Sequence, residues 1–530
     1  MNAHCFVNGK VWTLDARSPV AEAVVTKGKL IAFVGSSAEA ERRSGTGARR
    51  IDLGGRLVLP GFIDGHTHLL QGGFHLQGID LRDVKSSSEF TEKIGSYVTS
   101  HPGTWVTGGD WDEQAWKKPQ LPRRQWIDTV TGATPVFVQR LDGHMALANS
   151  AALQRAGISG RTPDPPGGVI EREPGTGEPT GILKDAAMNL VTEVIPPPTE
   201  EDMARALDIA MRHASRFGVT TVHDITLPEH LPLFQKFEEE RRLTVRIYTR
   251  LPIAGVDGLI AHNIHHAHGT DLLKLGSLKA FADGSLGSGT ALFFEPYLDD
   301  PTHAGLAMDI VTDGRLRRWA FDADRQKLQL SIHAIGDRAI DTILSLFEDI
   351  VAQNPPWDRR HRIEHAQHVR RPDLERFRRL GVIVSAQPYH CVDDGVWAEK
   401  RIGHERAQTT YAFRSFMEAG VTVCFGSDWT VAPLDPIAGI HAAVTRRTAD
   451  GAHPGGWIPG ERVGVEDAVR AYTLNGAYAA YEERTKGSIE VGKLADLVVL
   501  SRDIFTLEPE RIREAEVDMT MFDGRVVYER

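Results

Sequence analysis

The stretch LVLPGFIDGHTHLL, residues 57–70, places two histidines two positions apart at the end of an apolar run. The run itself is rich in β-branched and aromatic residues and predicts a buried strand. Residues i and i+2 of a strand point to the same side, so His66 and His68 face one way. Two imidazoles that converge in this way suit a metal ion, but two polar residues beside a turn are an equally good interpretation. The rest of the chain decides between them.

The composition is that of a soluble globular protein of two or three domains. The 530 residues are 41% hydrophobic and 25% charged, with a net charge of −10 and a pI near 6.1. Because no basic tract offsets this charge, nucleic acid and anionic membrane are excluded as main partners, and a small-molecule substrate is expected. The composition says nothing of the oligomeric state, for which a homodimer is the working expectation.

The cysteines and the chain start predict a cytoplasmic location. The three cysteines are scattered and form no CxxC pair, which is typical of a reducing compartment and excludes a thiolate zinc site. The start MNAHCFVNGKVWTLD lacks the pattern of a signal peptide, and no apolar run has the length of a membrane-spanning helix.

The two ends of the chain resemble each other in pattern. Residues 1–56 and 486–530 consist of short strand-like runs joined by turns such as Asn8-Gly9 and Asp523-Gly524. Neither end is long enough to build a core alone. We therefore expect both to pair into one small β-sandwich, a composite domain.

Between the ends, residues 57–485 alternate strands with amphipathic helices. Eight apolar, β-branched runs occur, and helix-period stretches separate most of them, such as 200–217, 337–352, 406–420 and 465–481. The eight runs are 57–64, 219–224, 245–251, 275–283, 328–335, 361–366, 381–387 and 421–428. This alternation predicts an α/β fold, a (β/α)8 TIM barrel. The long gap after the first run predicts an insertion at about 70–215, on the C-terminal face of the barrel.

The chemistry of a barrel of this kind lies at the C-terminal ends of its strands. The side chains at these positions form a consistent set: His66, His68, Lys279, His333, His365 and Asp428. A single histidine at a strand end is more often structural than a ligand, but repeated occurrence at the same topological position favours a metal site. Neutral imidazole and carboxylate are good ligands for Zn²⁺ and similar divalent ions.

Lys279 does not fit this set as a simple ligand, because a charged amine has no lone pair. Carboxylated by CO₂, it would become an anionic carbamate whose two oxygens could bridge two metal ions. A salt-bridged or substrate-binding lysine is an equally good interpretation of the pattern.

Five motifs extend the comparison to a known family: GFIDGHTHL, LKAFADGSLGSGTA, SIHAIGDRAI, RIEHAQ and FGSDWTVAPLDP. The chain resembles the amidohydrolase superfamily in its YtcJ-like branch, amidohydrolase family 3. The stretches GGRLVLPGFID and GSIEVGKLADLVVLSRD extend the resemblance to nearly the whole chain. It implies a barrel with a β-sandwich and a centre of one or two metal ions, expected to be Zn²⁺. The implied ligands are His66, His68, carboxylated Lys279, His333, His365 and Asp428.

The resemblance also implies a reaction, hydrolysis of an amide-type C–N bond other than a peptide bond. A metal ion lowers the pKa of bound water from 15.7 to roughly 7, so that metal-bound hydroxide attacks the substrate at neutral pH. Asp428 is the expected general base and acid, which takes the proton from water and returns it to the leaving nitrogen. The metal or the neighbouring His333 polarises the substrate carbonyl.

The reaction leaves alternatives open. The substrate would be an N-acyl or N-formyl amine, an amino-acid amide or a cyclic amide. The same fold and metal centre would equally serve a deaminase, an esterase or lactonase, or an isomerase or lyase. A non-catalytic assembly protein is the third reading, and the complete ligand set argues against it.

Four residues are candidate substrate contacts. Asp283 follows Lys279 in a Gly-rich segment and could instead cap a turn, and Tyr389, with the adjacent His390, follows the seventh run. Trp111 and His144 lie in the insertion, on segments that resemble stretches of the family near its active site. The tryptophans Trp105, Trp111 and Trp116 predict an aromatic or apolar part of the substrate.

Other polar residues near the strand ends are predicted to be structural. His223 and Asp224 would orient the ligands, and Glu364 would point away from His365 by strand alternation and form a salt bridge. Asp337 would cap the next helix. The histidine cluster at 262–268 would lie on a solvated helix face.

Overall fold

The computed structural model describes residues 3–113, 116–118, 120–140, 145–165 and 168–530. The chain forms two compact units. The first consists of Met1–Leu69 and Met211–Arg530, and the second is Leu70–Ala210. The second unit covers most of the insertion expected at about 70–215.

The first unit contains eight parallel strands that follow one another in a single sheet. They are β1 (Phe62–Thr67), β2 (Val219–Ile225), β3 (Arg246–Pro252), β4 (Leu273–Phe281), β5 (Gln329–Ala334), β6 (Arg362–His365), β7 (Ile383–Ala386) and β8 (Val423–Phe425). A short strand, His268–Gly269, pairs antiparallel with β4. The predicted α/β fold is thus confirmed as far as an eight-stranded parallel sheet.

The sheet is nearly closed, because the segment after β8 meets the end of β1. The Asp428 N–H donates to the His66 carbonyl at 2.7 Å, and the His68 N–H donates to the Trp429 carbonyl at 2.9 Å. Gly426 permits this approach, since a Cβ there would lie 2.4 Å from the His66 nitrogen. The two ends of the barrel sheet are therefore joined at the histidine pair.

Helices follow most of the barrel strands and cover the outside of the sheet. The helix Asp337–Gln353 buries a stripe of apolar residues, including Ile340, Leu344 and Phe347. The helices of the described residues are Ser37–Ser44, Leu69–Gln77, Ser87–Ser100, Arg124–Thr131, Ser150–Arg155, Asn189–Thr192, Glu200–Arg216, Leu231–Glu239, Val256–Ala261, Asp309–Thr312, Arg315–Arg325, Asp337–Gln353, Arg371–Leu380, His390–Asp394, Ala398–Ala407, Phe413–Glu418, Pro436–Thr445, Val465–Ala471 and Leu474–Ala479. None of them is long and apolar enough to span a bilayer.

The first predicted strand, residues 57–64, is two strands. Leu57–Pro60 pairs antiparallel with Leu497–Leu500, outside the barrel. The chain changes sheets at Gly61, whose N–H donates to the Asp496 carbonyl at 2.8 Å. A Cβ at this position would lie 2.3 Å from the Thr220 hydroxyl, so the crossing requires glycine.

Strands from the chain ends form two further sheets. A four-stranded sheet has the order Leu30–Gly35, Ala23–Lys27, Ala3–Val7 and Arg49–Asp52, and a six-stranded sheet has the order Arg525–Glu529, Val517–Phe522, Leu497–Leu500, Leu57–Pro60, Lys10–Trp12 and Val20–Ala21. The second sheet therefore combines strands from both ends of the chain. One apolar cluster draws on both sheets and includes Phe6, Val24, Val499 and Met519.

The second unit has a sheet and apolar clusters of its own. Its strand order is Gly168–Arg172, Pro179–Asp185, Met145–Ala148, Phe137–Arg140, Gly108–Trp111 and Ile79–Asp80. Trp111 and Trp116 are buried in one cluster, and Trp105 packs against another. The structure thus uses these indoles to build the core of the unit, and they present little surface to a substrate.

Three smaller expectations are corrected. The helix expected at 465–481 is broken into Val465–Ala471 and Leu474–Ala479. The histidine cluster at 262–268 lies in a turn after Val256–Ala261, and its His265 and His266 rings contact the backbone carbonyls of Gln326 and Lys327. Gly336, rather than Asp337, is the N-cap of the following helix.

Candidate metal centre

The predicted ligands come from both halves of the barrel sheet and lie together. His66 is in β1, Lys279 in β4, His333 in β5 and His365 in β6, all near the carboxyl ends of these strands, while Asp428 follows β8. In a parallel barrel these ends form one mouth. The residues are buried, with exposed fractions between 1% for His66 and 8% for His333 and Asp428.

Asp428 links the two histidines of the opening stretch. Its Oδ1 lies 3.4 Å from His66 Nε2 and 3.3 Å from His68 Nε2. The residue has a φ of +56°, in the left-handed region. Burial alone would raise the pKa of the Asp428 carboxyl, but the neighbouring His66 and His68 hold this pKa well below its usual value. Asp428 is therefore an anion throughout the neutral pH range.

His66 is fixed by a buried carboxylate. Its Nδ1 lies 2.5 Å from Glu364 Oε2, and the same oxygen lies 2.7 Å from a guanidinium nitrogen of Arg250. Burial and the charge of Arg250 lower the pKa of His66 to about 3. Since a carboxylate only accepts, the neutral ring carries its proton on Nδ1, which leaves the Nε2 lone pair towards Asp428.

The contact between Glu364 and His66 corrects a prediction from the sequence, because strand alternation predicts Glu364 on the side away from the site. The chain turns at the end of β6, with φ of +70° at His365 and +47° at Ala366, so strand alternation does not hold there. The predicted salt bridge is present, with Arg250. Its second function, orientation of His66, was not predicted.

His333 and His365 form the other side of the centre. Their ring centroids are 4.5 Å apart, and those of His66 and His365 are 5.0 Å apart. Burial lowers the pKa of His333 to about 4 and that of His365 well below its usual value. His333 Nε2 lies 3.0 Å from the Gly284 carbonyl, which only accepts, so the lone pair of His333 is on Nδ1.

Lys279 is buried, and none of the described residues forms a hydrogen bond with its amine. Among the described residues it forms no ion pair, so the salt-bridged interpretation left open by the sequence has no support. Burial lowers its pKa to about 7. The amine lies 4.5 Å from the centroid of the Phe281 ring. The amine is therefore neutral and nucleophilic far more often at neutral pH than an exposed lysine amine is.

These residues fit a divalent metal ion. His66, His68 and Asp428 each offer one ligand atom, and these atoms lie within 4.8 Å of one another. The buried amine of Lys279 and Nδ1 of His365 have no hydrogen-bond partner among the residues that the structure describes. Buried polar atoms normally have partners, and neutral imidazoles around a carboxylate are a donor set that Zn²⁺ prefers.

His223 and Asp224 support the centre from β2. An Asp224 carboxylate oxygen accepts the N–H of Leu69, the residue after His68, at 2.6 Å. His223 Nδ1 lies 2.8 Å from a guanidinium nitrogen of Arg362. Neither side chain reaches an open surface, since both are at most 1% exposed.

The structure places Asp283 in a buried loop, where it has no exposed surface. Its carboxylate accepts the N–H groups of Leu292, Ile335 and Gly336 at 2.8–3.0 Å, and burial raises its pKa to about 7. This geometry corresponds to the turn-capping alternative and fixes the segment that follows β5.

The remaining predicted substrate contacts differ in position. Tyr389 is half-buried and lines a cleft of 370 Å³ together with His441 and Arg447. Trp111 is fully buried and donates its indole N–H to the Val138 carbonyl at 3.0 Å. A substrate would contact Trp111 only if this cluster opened. His144 lies outside the described residues.

Known proteins share this architecture. A model of the amidohydrolase family matches residues 49–528. The chain is 37% identical to Protein LONG AFTER FAR-RED 3 of Arabidopsis thaliana over 98% of this chain and 91% of that one. It is 30% identical to the N-substituted formamide deformylase of Arthrobacter pascens over 99% of this chain and 98% of that one. The crystal structure of a metal-dependent hydrolase from Pyrococcus furiosus superposes with a TM-score of 0.77, at 30% identity, over 96% of this chain and all of that one.

A parallel barrel sheet with imidazoles and a carboxylate at its strand ends fits the class of metal-dependent amidohydrolases. The chain belongs to the amidohydrolase family, which confirms the family predicted from its motifs. Divalent metals are the cofactors of this class.

Proposed function

We propose that the protein hydrolyses an amide-type C–N bond, with N-substituted formamides and related N-acyl amines as its first substrate class. The observation that carries this proposal is Asp428, an anionic carboxylate 3.3–3.4 Å from the Nε2 atoms of His66 and His68. The N-substituted formamide deformylase of Arthrobacter pascens supports the choice of substrate class, since it matches 99% of this chain.

The chain's own residues would perform the proton transfers. A divalent ion held by the histidines and Asp428 supplies Lewis-acid polarisation and lowers the pKa of water. Asp428 takes a proton from the attacking water and returns it to the nitrogen of the leaving amine. Glu364 keeps the proton of His66 on Nδ1, so that Nε2 stays available as a ligand. His333 is neutral at pH 7 and donates from Nε2 to the Gly284 carbonyl, so its Nδ1 lone pair would be available to the ion, and the ion would polarise the substrate carbonyl.

Lys279 is proposed to be carboxylated. The neutral amine attacks CO₂ and loses a proton, which gives a carbamate anion and H⁺. A buried amine with no partner and a pKa of about 7 favours this reaction. The carbamate would bring a second anionic ligand to the centre and hold a second ion.

Exposed apolar side chains near the candidate metal centre support the proposal that the substrate carries an apolar substituent. The Phe281 ring is 42% exposed and lies 5.2 Å from the ring of His333, centroid to centroid. Val431, whose N–H donates to the Asp428 carbonyl, is 63% exposed. An apolar group would bury these surfaces at about 25 cal/mol per Å².

Four properties expected from the sequence stay proposals. They are Zn²⁺ as the metal, a location in the cytoplasm, a homodimeric state, and a β-sandwich formed by the two terminal sheets.

The test is an activity screen coupled to metal analysis. Purified protein is stripped with a chelator, reloaded with Zn²⁺, Mn²⁺ or Co²⁺, and assayed with N-formyl, N-acetyl and cyclic amides. We expect turnover of N-formyl amines that chelation abolishes and metal restores, with benzyl preferred over carboxymethyl substituents. Turnover of esters or aminated heterocycles alone would favour the esterase or deaminase alternative. A metal-free chain that binds no metal would favour the non-catalytic assembly protein.

A further inference from the structure

A histidine outside the predicted ligand set lies at the metal centre. His390, His365 and Asp428 each offer one ligand atom, and these three atoms lie within 4.8 Å of one another. Asp428 is thus shared between this group and the group formed with His66 and His68. From the sequence, His390 is predicted only as a candidate substrate contact.

The Nε2 atom of His390 is buried and has no hydrogen-bond partner in the described part of the chain. A buried imidazole nitrogen without a partner is costly, so such an atom indicates a ligand that the protein chain does not supply. The rings of His390 and His365 are nearly parallel, with an interplanar angle of 17° and centroids 6.3 Å apart. Two nitrogens bound to one tetrahedral zinc ion stand about 3.3 Å apart, because each bond is about 2.0–2.1 Å. The ligand atoms, which lie within 4.8 Å of one another, would therefore have to approach by at most about 1.5 Å.

The position of His390 is held by contacts to the His365 segment. His390 begins the short helix His390–Asp394, directly after the turn that leaves β7, where its N–H donates to the Gln387 carbonyl at 3.2 Å. At the other end of this helix, Asp394 accepts from the Gln367 amide at 2.8 Å and from the Tyr411 hydroxyl at 2.6 Å. Gln367 is two residues after His365, so both histidines belong to one hydrogen-bonded framework.

We propose that His390 is a ligand of the second metal position, where it binds a divalent ion together with His365 and Asp428. This inference rests on the proposed metal centre and extends it by a residue from the segment after β7, a strand that contributes none of the predicted ligands. The ion is of the borderline kind that imidazole and carboxylate share, such as Zn²⁺, Co²⁺ or Mn²⁺. The two ions of the centre then have different ligand sets, with Asp428 common to both.

The experiment measures metal binding and not turnover. Its result is therefore independent of whether the proposed hydrolysis is correct. Full-length wild type, His390→Ala and the surface control His404→Ala are stripped, reloaded with Co²⁺ and titrated against a chelating indicator. We expect two equivalents in the wild type and in the control, whose His404 is 76% exposed. His390→Ala is expected to bind the first equivalent normally and the second at least tenfold more weakly.

A second variant tests coordination directly. His390→Cys loaded with Co²⁺ is expected to show a thiolate-to-cobalt charge-transfer band in the near ultraviolet, which the wild type lacks. Circular dichroism of each variant reports whether it is folded. The proposal is overturned if the folded His390→Ala protein binds both equivalents as the wild type does, if the wild type binds only one, or if the cysteine variant shows no such band. In the first case a buried water or the substrate is the partner of His390.

Discussion

The chemistry of the centre depends on which atom each histidine leaves free. His66 donates from Nδ1 to Glu364, and His333 donates from Nε2 to the Gly284 carbonyl. These hydrogen bonds fix opposite tautomers in the two rings, and in each case a lone pair remains for a metal ion. The groups that accept hydrogen bonds from these rings, Glu364 and the Gly284 carbonyl, therefore determine which ring nitrogen is available to a metal ion.

The Glu364–Arg250 pair gives a prediction at this scale. Glu364→Gln keeps the shape of the side chain but leaves the fully buried Arg250 without its anion. We expect a loss of about 3–5 kcal/mol in the free energy of unfolding and metal affinity lower by about 10–100-fold. Thermal unfolding and metal titration measure the two effects.

A matched double variant, Glu364→Leu with Arg250→Met, separates them. It removes both charges and is expected to recover most of the stability, while the metal affinity stays low because His66 has lost its acceptor. Wild-type affinity in Glu364→Gln would contradict the assigned role of the carboxylate.

Carboxylation of Lys279 predicts a pH dependence. With a pKa of about 7, the neutral fraction of the amine rises about tenfold between pH 6 and pH 8. At a fixed concentration of dissolved CO₂, reconstitution of stripped protein with Zn²⁺ should be about tenfold faster at pH 8. The pKa values of His66 and His333, about 3 and about 4, leave these ligands neutral at both pH values. A rate independent of pH and of CO₂ would contradict carboxylation.

The positions of the candidate ligands were predictable from the sequence because these residues share one topological position, the carboxyl end of a barrel strand. The role of Glu364 was not, because it depends on the positive φ of His365, which no local pattern encodes. Asp283 was ambiguous for a similar reason. The three backbone N–H groups that donate to Asp283 come from two loops. Only the folded structure shows that the Asp283 carboxylate is occupied by these hydrogen bonds.

At the scale of elements, Gly426 allows the two ends of the barrel sheet to meet. β8 is only Val423–Phe425, and the residues after it lie against β1 through the backbone of His66. The strand runs were recognisable from their composition, because parallel strands covered on both faces are continuously apolar. The change from one sheet to another at Gly61 was not recognisable from the sequence, because the apolar run continues across this residue.

Gly426→Ala tests this closure. The added Cβ would lie 2.4 Å from the His66 nitrogen and 2.8 Å from Asp64 Oδ1, so β1 and the segment after β8 must separate. We expect a loss of about 1–3 kcal/mol in stability together with weaker metal binding, since His66 and Asp428 move apart. The control is Gly258→Ala, in the helix Val256–Ala261, where the new methyl has no neighbour within 4 Å. Equal behaviour of the two variants would contradict this account of the closure.

At the scale of the whole molecule, the first unit joins barrel and terminal strands through buried charge. Arg246 in β3 forms ion pairs with Asp496 at 2.7 Å and with Asp523 at 2.9 Å, and its side chain is 2% exposed. The pairing of the chain ends was predictable from their strand patterns. The apolar cores of the second unit were not predictable from the sequence, because its tryptophans are as compatible with a substrate-binding surface as with a buried core.

Asp496→Ala should therefore destabilise the molecule without changing its chemistry. We expect a loss of about 3–5 kcal/mol, because a buried guanidinium loses a partner, with kcat of the folded enzyme unchanged. Glu529→Ala is the matched control, since its ion pair with Arg49 is about half exposed and should contribute less than about 1 kcal/mol. Thermal unfolding compares the two variants, and similar midpoints would refute the structural role of Arg246.

The central claim is that Asp428 transfers the proton at a metal centre built by both ends of the barrel sheet. The most direct test measures bound metal and kcat together in Asp428→Asn, with an N-formyl amine as the substrate. We predict a folded protein that retains at least one metal equivalent and loses about 10²–10⁴-fold in kcat. A variant that keeps its metal and turns over at the wild-type rate would contradict the claim.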